Sequence, residues 1–147
     1  MTVVRTTLRK KPEAFNQWKV ALTNANPSTR IQIVRTGVAS VVMVSASEHF
    51  GVPRSLFAKM LGISSATAER KIKSGSLLGQ IETERLERIA LIENEAVKVF
   101  GTSDMALTWL TKNNAAFGVT PLEMLDTETG AGEVRKVLSA IAYGGVA

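Results

Sequence analysis

The chain has 147 residues, 45% hydrophobic and 21% charged, the balance of a folded domain with its own core rather than of a disordered segment. It carries a net charge of +5, no cysteine and one histidine, His49, so disulfides and thiolate metal sites are excluded, a histidine metal site has no basis, and no cofactor is expected. No apolar run approaches the roughly 20 residues of a membrane span and no apolar signal core follows the basic N-terminus, so a cytoplasmic protein without a membrane partner is expected.

Residues 1–27 read as a basic N-terminal arm containing Arg5, Arg9, Lys10 and Lys11. Within it, Thr2 to Leu8 could pair as a short strand, and Pro12 to Leu22 places Phe15, Trp18 and Leu22 on one face of an amphipathic helix. Pro27-Ser28 marks a boundary, and Ser28 is expected to cap a short helix ending near Gly37. The run Val38 to Val44 is rich in β-branched residues and reads as a strand by propensity. Its position just before a helical motif favours a helix, in which Val38, Val41, Val42 and Ser45 share a face. His49 falls at the end of that helix, where it can bond the last carbonyls.

The longest helical signal runs from Glu82 to Phe100, with Leu86, Ile89, Ala90, Glu93, Ala96, Val97 and Phe100 at helical spacing and Gly101 as its stop. Thr102 or Ser103 can cap the next helix, whose inner face is Met105 or Ala106 with Trp109 and Leu110. Both tryptophans are expected in the core. Thr120-Pro121-Leu122-Glu123 is a capping box with proline at the first helical position. A last helix spans about Ala131 to Tyr143, with Val134, Val137, Leu138 and Ile141 inward and Gly144-Gly145 ending it. With no repeat and no low-complexity linker, one compact all-helical unit is expected.

The strongest motif lies between Pro53 and Lys73. Pro53 opens a helix whose buried face is Phe57 and Leu61, and Ala58 is small where a second helix crosses. Gly62 permits a sharp turn, Ile63 plugs the gap, and Ser64 caps the second helix, which buries Ala68 and Ile72. This is the spacing of a helix-turn-helix, whose second helix enters the DNA major groove. The exposed face then holds Ala66, Thr67, Arg70, Lys71 and Ser74. Arg70 is placed to reach guanine or phosphate, Thr67 a thymine methyl or phosphate, and Lys71, Lys73 and Arg54 the backbone. The free amides of Ser64, Ser65 and Ala66 suit a phosphate. Lys71 stands where such motifs often have an apolar residue. Charge agrees with a polyanion at the front of the chain: residues 1–50 hold seven basic and two acidic groups, 51–75 five and one, and 76–147 six and ten. Uneven charge on an ordinary surface would account for these counts equally well.

From about Gly51 to Ala147 the sequence resembles the Xre/MbcA/ParS antitoxins, above all the Xre partner of RES–Xre toxin–antitoxin systems. One block is Leu56-Phe57-Ala58-Lys59-Met60-Leu61-Gly62-Ile63-Ser64 with Arg70-Lys71 and Gly75. A more diagnostic block is Thr120-Pro121-Leu122-Glu123-Met124-Leu125-Asp126-Thr127, then Gly130, Glu133-Val134 and Ile141-Ala142-Tyr143-Gly144. Val99-Phe100-Gly101 and Ala106-Leu107-Thr108-Trp109-Leu110 match between them.

The resemblance implies an all-α fold, with a helix-turn-helix region for DNA binding and dimerisation over 28–80 and a helical toxin-binding domain over 81–147. It implies a helix at the Val38 run. It implies an antitoxin that binds a cognate RES-type, NAD-degrading toxin, covers its active-site cleft with the C-terminal region, and represses its own operon as a homodimer on operator DNA. The alternative is a stand-alone dimeric repressor. The toxin-facing residues would be Arg135, Lys136, Ser139, Tyr143, Gly144, Gly145, Val146 and Ala147. Tyr143 can serve as an amphipathic anchor for a partner or pack back on its own helix. Arg135 and Lys136 can meet an acidic cleft, although a solvated face is slightly preferred. Nothing places a nucleophile beside a base, so no enzymatic activity is expected.

Overall fold

The computed structural model describes residues 11–144, and the elements among them are helical. In chain order they are α1 (Lys11–Asn24), α2 (Pro27–Thr36), α3 (Ser40–Phe50), α4 (Arg54–Leu61), α5 (Ser65–Ser74), α6 (Gln80–Phe100), α7 (Ser103–Thr111), a 3₁₀ turn (Leu122–Asp126) and α8 (Glu128–Ala142). The expected strand from Thr2 to Leu8 lies outside the described residues. Contacts divide the chain into two compact units, Met1–Glu87 and Arg88–Ala147, where a single unit was expected. The division falls inside α6. A long helix can serve two cores without the polar linker that a sequence reading looks for.

In the first unit α3 lies against α1, α4 and α5. Ser40, all residues from Val42 to Ser47, and Phe50 are buried on it. A helix covered on several sides can carry β-branched residues all round, because packing outweighs propensity. The strand tendency survives only in Val38 and Ala39. There Ala39 forms an isolated antiparallel bridge with Leu77, closed by Leu78 N–H to the Val38 carbonyl at 2.7 Å and Ser40 N–H to the Ser76 carbonyl at 3.1 Å. Val38 N–H donates to Thr83 Oγ1 at 3.1 Å, which ties the same corner to α6.

The segment α1, placed in the basic arm by the sequence reading, packs on α3 through buried Ala14, Phe15 and Leu22. Its Phe15 N–H donates to the buried Ser45 hydroxyl at 2.9 Å. Trp18 is only half-buried and lines an apolar groove with Ala14, Ala21, Val38 and Val42. It is therefore not the core residue expected from its spacing. His49 packs its ring against Phe15 and Phe50, with centroids 5.4 and 4.9 Å apart, and Gly51 forms the helix C-cap. The cap of α2 is Asn26 rather than Ser28. Asn26 Oδ1 accepts from Thr29 N–H at 2.8 Å, and Pro27 takes the first helical position, where it needs no N–H partner.

In the second unit, the rest of α6 packs with α7, the 3₁₀ turn and α8 around Ile89, Ile92, Ala96, Leu110, Leu122, Leu125, Val134 and Leu138. Trp109 is again half-buried, tilted against Phe100 at 5.5 Å, and Met105 is exposed, so Ala106 is the inner residue of α7. Thr102 caps α7 by accepting from Met105 N–H at 3.2 Å. The box at Thr120 is closed as its sequence predicts: Glu123 N–H donates to Thr120 Oγ1 at 3.1 Å, and Glu123 Oε2 accepts from Thr120 N–H at 3.0 Å. It starts only a 3₁₀ turn, because Thr127 begins α8 at once by accepting from Gly130 N–H at 3.0 Å. The last helix thus starts at Glu128, earlier than its apolar stripe suggested.

Gly130 is buried where a Cβ would run into the Met124 carbonyl of the preceding turn. Alanine normally favours a helix over glycine, but here the steric term reverses the sign. Gly130→Ala is expected to lower stability by about 1–3 kcal/mol, read as a fall in urea midpoint; an unchanged midpoint would mean that the turn yields freely.

Candidate nucleic-acid interface and partner-binding end

The two helices between Pro53 and Ser74 cross as a helix-turn-helix. Phe57, Ala58 and Leu61 are buried on α4 and Ala68 on α5. Gly62 takes φ +90°, with Ile63 N–H closing on the Ala58 carbonyl at 3.1 Å and Gly62 N–H on the Lys59 carbonyl at 3.0 Å. A side chain at Gly62 would be strained by that backbone and would also meet the Arg85 guanidinium of α6, which lies over the turn. Ile63 and Ile72 are half-buried, so each seals an edge rather than filling the centre.

Ser64 caps α5 as expected. Its hydroxyl accepts from Thr67 N–H at 3.1 Å and donates to Thr67 Oγ1 at 2.9 Å. Thr67 is half-buried and occupied at the cap, which leaves Ser65, Ala66, Glu69, Arg70, Lys73 and Ser74 exposed. Arg70 and Lys73 form no salt bridge to any described residue.

Lys71 departs from the expected backbone-contacting role. It is half-buried, and its ammonium donates to the Leu77 carbonyl at 3.0 Å. Its own carbonyl accepts from Ser76 N–H at 2.9 Å and from the Ser40 hydroxyl at 3.0 Å. The residue thus fastens the end of α5 to the start of α3 and to the following chain. A lysine stem can cover an apolar edge while its head reaches a carbonyl, which is how it stands in for an apolar residue. Arg54 is also engaged: its Nη1 lies 3.0 and 3.4 Å from the two carboxylate oxygens of Glu69. Glu69, on the helix assigned to reading DNA, escaped the sequence reading because the contact spans 15 positions. Only the crossing of α4 and α5 brings the two residues together.

In the second unit the expected cations of α8 are held by neighbouring carboxylates. Arg135 pairs with Glu95 at 3.3 Å and Glu128 at 3.5 Å, and Lys136 with Glu133 at 3.4 Å. Arg88, not singled out from sequence, is largely buried; it donates to the Leu125 carbonyl and to Glu128, both at 3.1 Å. Ser139 is exposed, and Tyr143 at the end of α8 is 91% exposed, so it does not pack back on its helix. Gly144 follows at φ +82°. Gly145, Val146 and Ala147 lie outside the described residues. Among the described residues no group of three or more His, Cys, Asp or Glu could hold a metal, and no helix is long and apolar enough to cross a membrane.

Comparison with known proteins agrees with this layout. Residues 29–91 match the antitoxin Xre-like helix-turn-helix domain, and residues 95–144 match the antitoxin Xre/MbcA/ParS C-terminal toxin-binding domain. The chain belongs to the Xre/MbcA/ParS antitoxin family. Relatives named Antitoxin Xre occur in Pseudomonas putida, 38% identical over 53% of this chain and 50% of the relative, and in Yersinia enterocolitica, 25% identical over 86% and 88%. A protein of a Sphingobium species named Prs ADP-ribosylating antitoxin is 26% identical over 86% of both chains. The chain spans half the length of the Pseudomonas relative.

Within this chain, the first-unit match covers α2 to α5 and part of α6, while α1 lies outside it although it packs on α3. The start of α6, where the sequence reads Leu77-Leu78-Gly79-Gln80, is capped by Glu82 Oε1 accepting from Gly79 N–H at 3.2 Å. Because Ser64 carries the cap of the short helix α5, Ser64→Ala is expected to cost about 1 kcal/mol, and Ser64→Asp, which can still accept from Thr67 N–H, much less. Urea unfolding reads both, and equal losses would place the effect elsewhere than in the cap.

Proposed function

We propose that this antitoxin neutralises a RES-type, NAD-degrading toxin by covering its active site with the end of α8 and the residues beyond it, and that it represses its own operon through α5. It acts by binding rather than by catalysis. The observation that carries the toxin reading is Tyr143: it is almost fully exposed at the end of the unit that matches a toxin-binding domain. An exposed tyrosine in an aromatic-poor chain supplies a large amphipathic contact for a partner. Arg135 and Lys136 serve this contact less directly, since their charges already face Glu95, Glu128 and Glu133. Ser139, Tyr143 and Gly144, continued by Gly145, Val146 and Ala147, are the proposed contact.

For DNA, the exposed Arg70 and Lys73, which form no salt bridge to a described residue, support α5 as the reading helix, with Ser64, Ser65 and Ala66 at its amide-rich start. A homodimer would set two such helices about one DNA turn apart on a palindromic operator. A cytoplasmic location accords with this role. A second reading of the toxin rests on the Sphingobium relative, which aligns along most of both chains and is named for ADP-ribosylation of Prs. On that reading the partner is an ADP-ribosylating toxin. Co-expression of this chain with each class of toxin separates the two by which one permits growth.

Two outcomes follow. Deleting the chain after Ser139 is expected to abolish growth rescue while α5 still binds DNA; rescue by the shortened form would remove the toxin contact from this end. Arg70→Ala is expected to weaken operator binding by about 1–3 kcal/mol if Arg70 reads a base, measured by fluorescence anisotropy at fixed salt. An unchanged affinity would take Arg70 out of the interface.

A further inference from the structure

Glu69 is the only acidic residue between Gly51 and Gly75, and it stands on the proposed reading helix beside Arg70. Its two oxygens face one nitrogen of Arg54, the first residue of α4, at 3.0 and 3.4 Å. The side chains are 42% and 53% exposed, so the pair lies at the surface and not in the core. As a stabilising contact it counts for little, because exposed ion pairs are offset by hydration and side-chain entropy. Its placement matters more. The start of α4 is where the backbone of bound DNA would pass, and a carboxylate there both repels phosphate and holds the cation that would otherwise meet one.

We propose that Glu69 limits the sequence-independent affinity of this protein for DNA, by cancelling the charge of Arg54 next to the phosphate backbone. Sequence-independent affinity comes from cations that neutralise phosphates and release counterions. An arginine held by a carboxylate contributes little to that term, whereas base contacts by α5 are untouched. Unrelated DNA is bound through this term alone, so keeping it small limits how much protein is held by the excess of other sites, while the operator has its base contacts in addition.

This inference rests on the DNA-binding reading, and one set of measurements separates the two. Anisotropy titrations at several salt concentrations compare the native protein with Glu69→Gln, Arg54→Ala and the double variant. The probes are a duplex of the chain's own promoter and an unrelated duplex of equal length. Glu69→Gln is expected to bind the unrelated duplex about fivefold more tightly, the factor one unit charge near a phosphate is worth in water. Its salt slope should steepen by about one released counterion, and promoter affinity should rise by a similar factor, because the phosphate term is common to both duplexes. Arg54→Ala, which leaves Glu69 bare, is expected to bind both duplexes more weakly, and the double variant to return close to the native protein. Both side chains are half-exposed, so all variants should keep native helicity by circular dichroism.

The proposal is overturned if Glu69→Gln leaves binding to the unrelated duplex unchanged or weaker, or if the double variant binds it as tightly as Glu69→Gln alone, which would take Arg54 out of the effect. A loss of promoter affinity alone, the mark of a carboxylate accepting from cytosine, also overturns it. Failure of the native protein to bind either duplex would overturn the DNA-binding reading itself.

Discussion

Burial of α3 is the constraint on which the first unit depends. A helix enclosed along most of its length must satisfy every polar group it carries without water. It does so through three serines with different partners: Ser40 donates to the Lys71 carbonyl, Ser45 accepts from Phe15 N–H, and Ser47 turns back to the Val44 carbonyl at 2.7 Å. Two of these bonds leave the helix, one to the end of α5 and one to α1. No buried side-chain nitrogen or oxygen among the described residues lacks a hydrogen-bond partner. The same helix therefore fixes the orientation of α5 and the docking of α1, and the exposed residues of α5 inherit their positions from that core.

The second unit is organised by short turns more than by long helices. The Thr120 box, the 3₁₀ turn and the Thr127 cap follow one another without a spare residue, and the missing side chain of Gly130 lets α8 approach the Met124 carbonyl. Arg88 adds a cation at that turn, donating to the Leu125 carbonyl while it pairs with Glu128. A charge-assisted bond from a largely buried guanidinium is stronger than a neutral one. Together these contacts set the direction in which α8 leaves the core and so where Tyr143 ends.

What the sequence made legible was local. Caps at Ser64 and Thr120, the turn at Gly62 and the stripe from Leu86 to Phe100 all involve partners three or four residues apart, within reach of pattern alone. The cap at Asn26 is equally local, yet Ser28 was expected in its place; with Pro27 at the first helical position the cap falls one residue before it. Features that depend on chain crossings stayed hidden: α1 on α3, the Arg54–Glu69 pair, the Ala39–Leu77 bridge and Arg85 over Gly62. Helical spacing named Trp18 and Trp109 as apolar-face residues without saying how deep each face lies; both sit at the margins of their cores. The β-branched run at Val38 was ambiguous for a physical reason, since its first two residues are extended and the rest helical.

The charge of the helix-turn-helix changes meaning once those crossings are known. Five basic residues and one acidic residue between Gly51 and Gly75 suggest a uniformly cationic surface. In the fold, the Lys71 ammonium lies on a backbone carbonyl and Arg54 faces a carboxylate, which leaves Lys59, Arg70 and Lys73 exposed and without a salt bridge to a described residue. A count of cations measures long-range attraction to a polyanion, because every charge acts at a distance. Close contact depends instead on donors that are free to turn towards a phosphate or a base. Lys71 thus contributes chiefly to the shape of the motif and Arg54 is offset by Glu69, so fewer cations are free for close contact than composition implies.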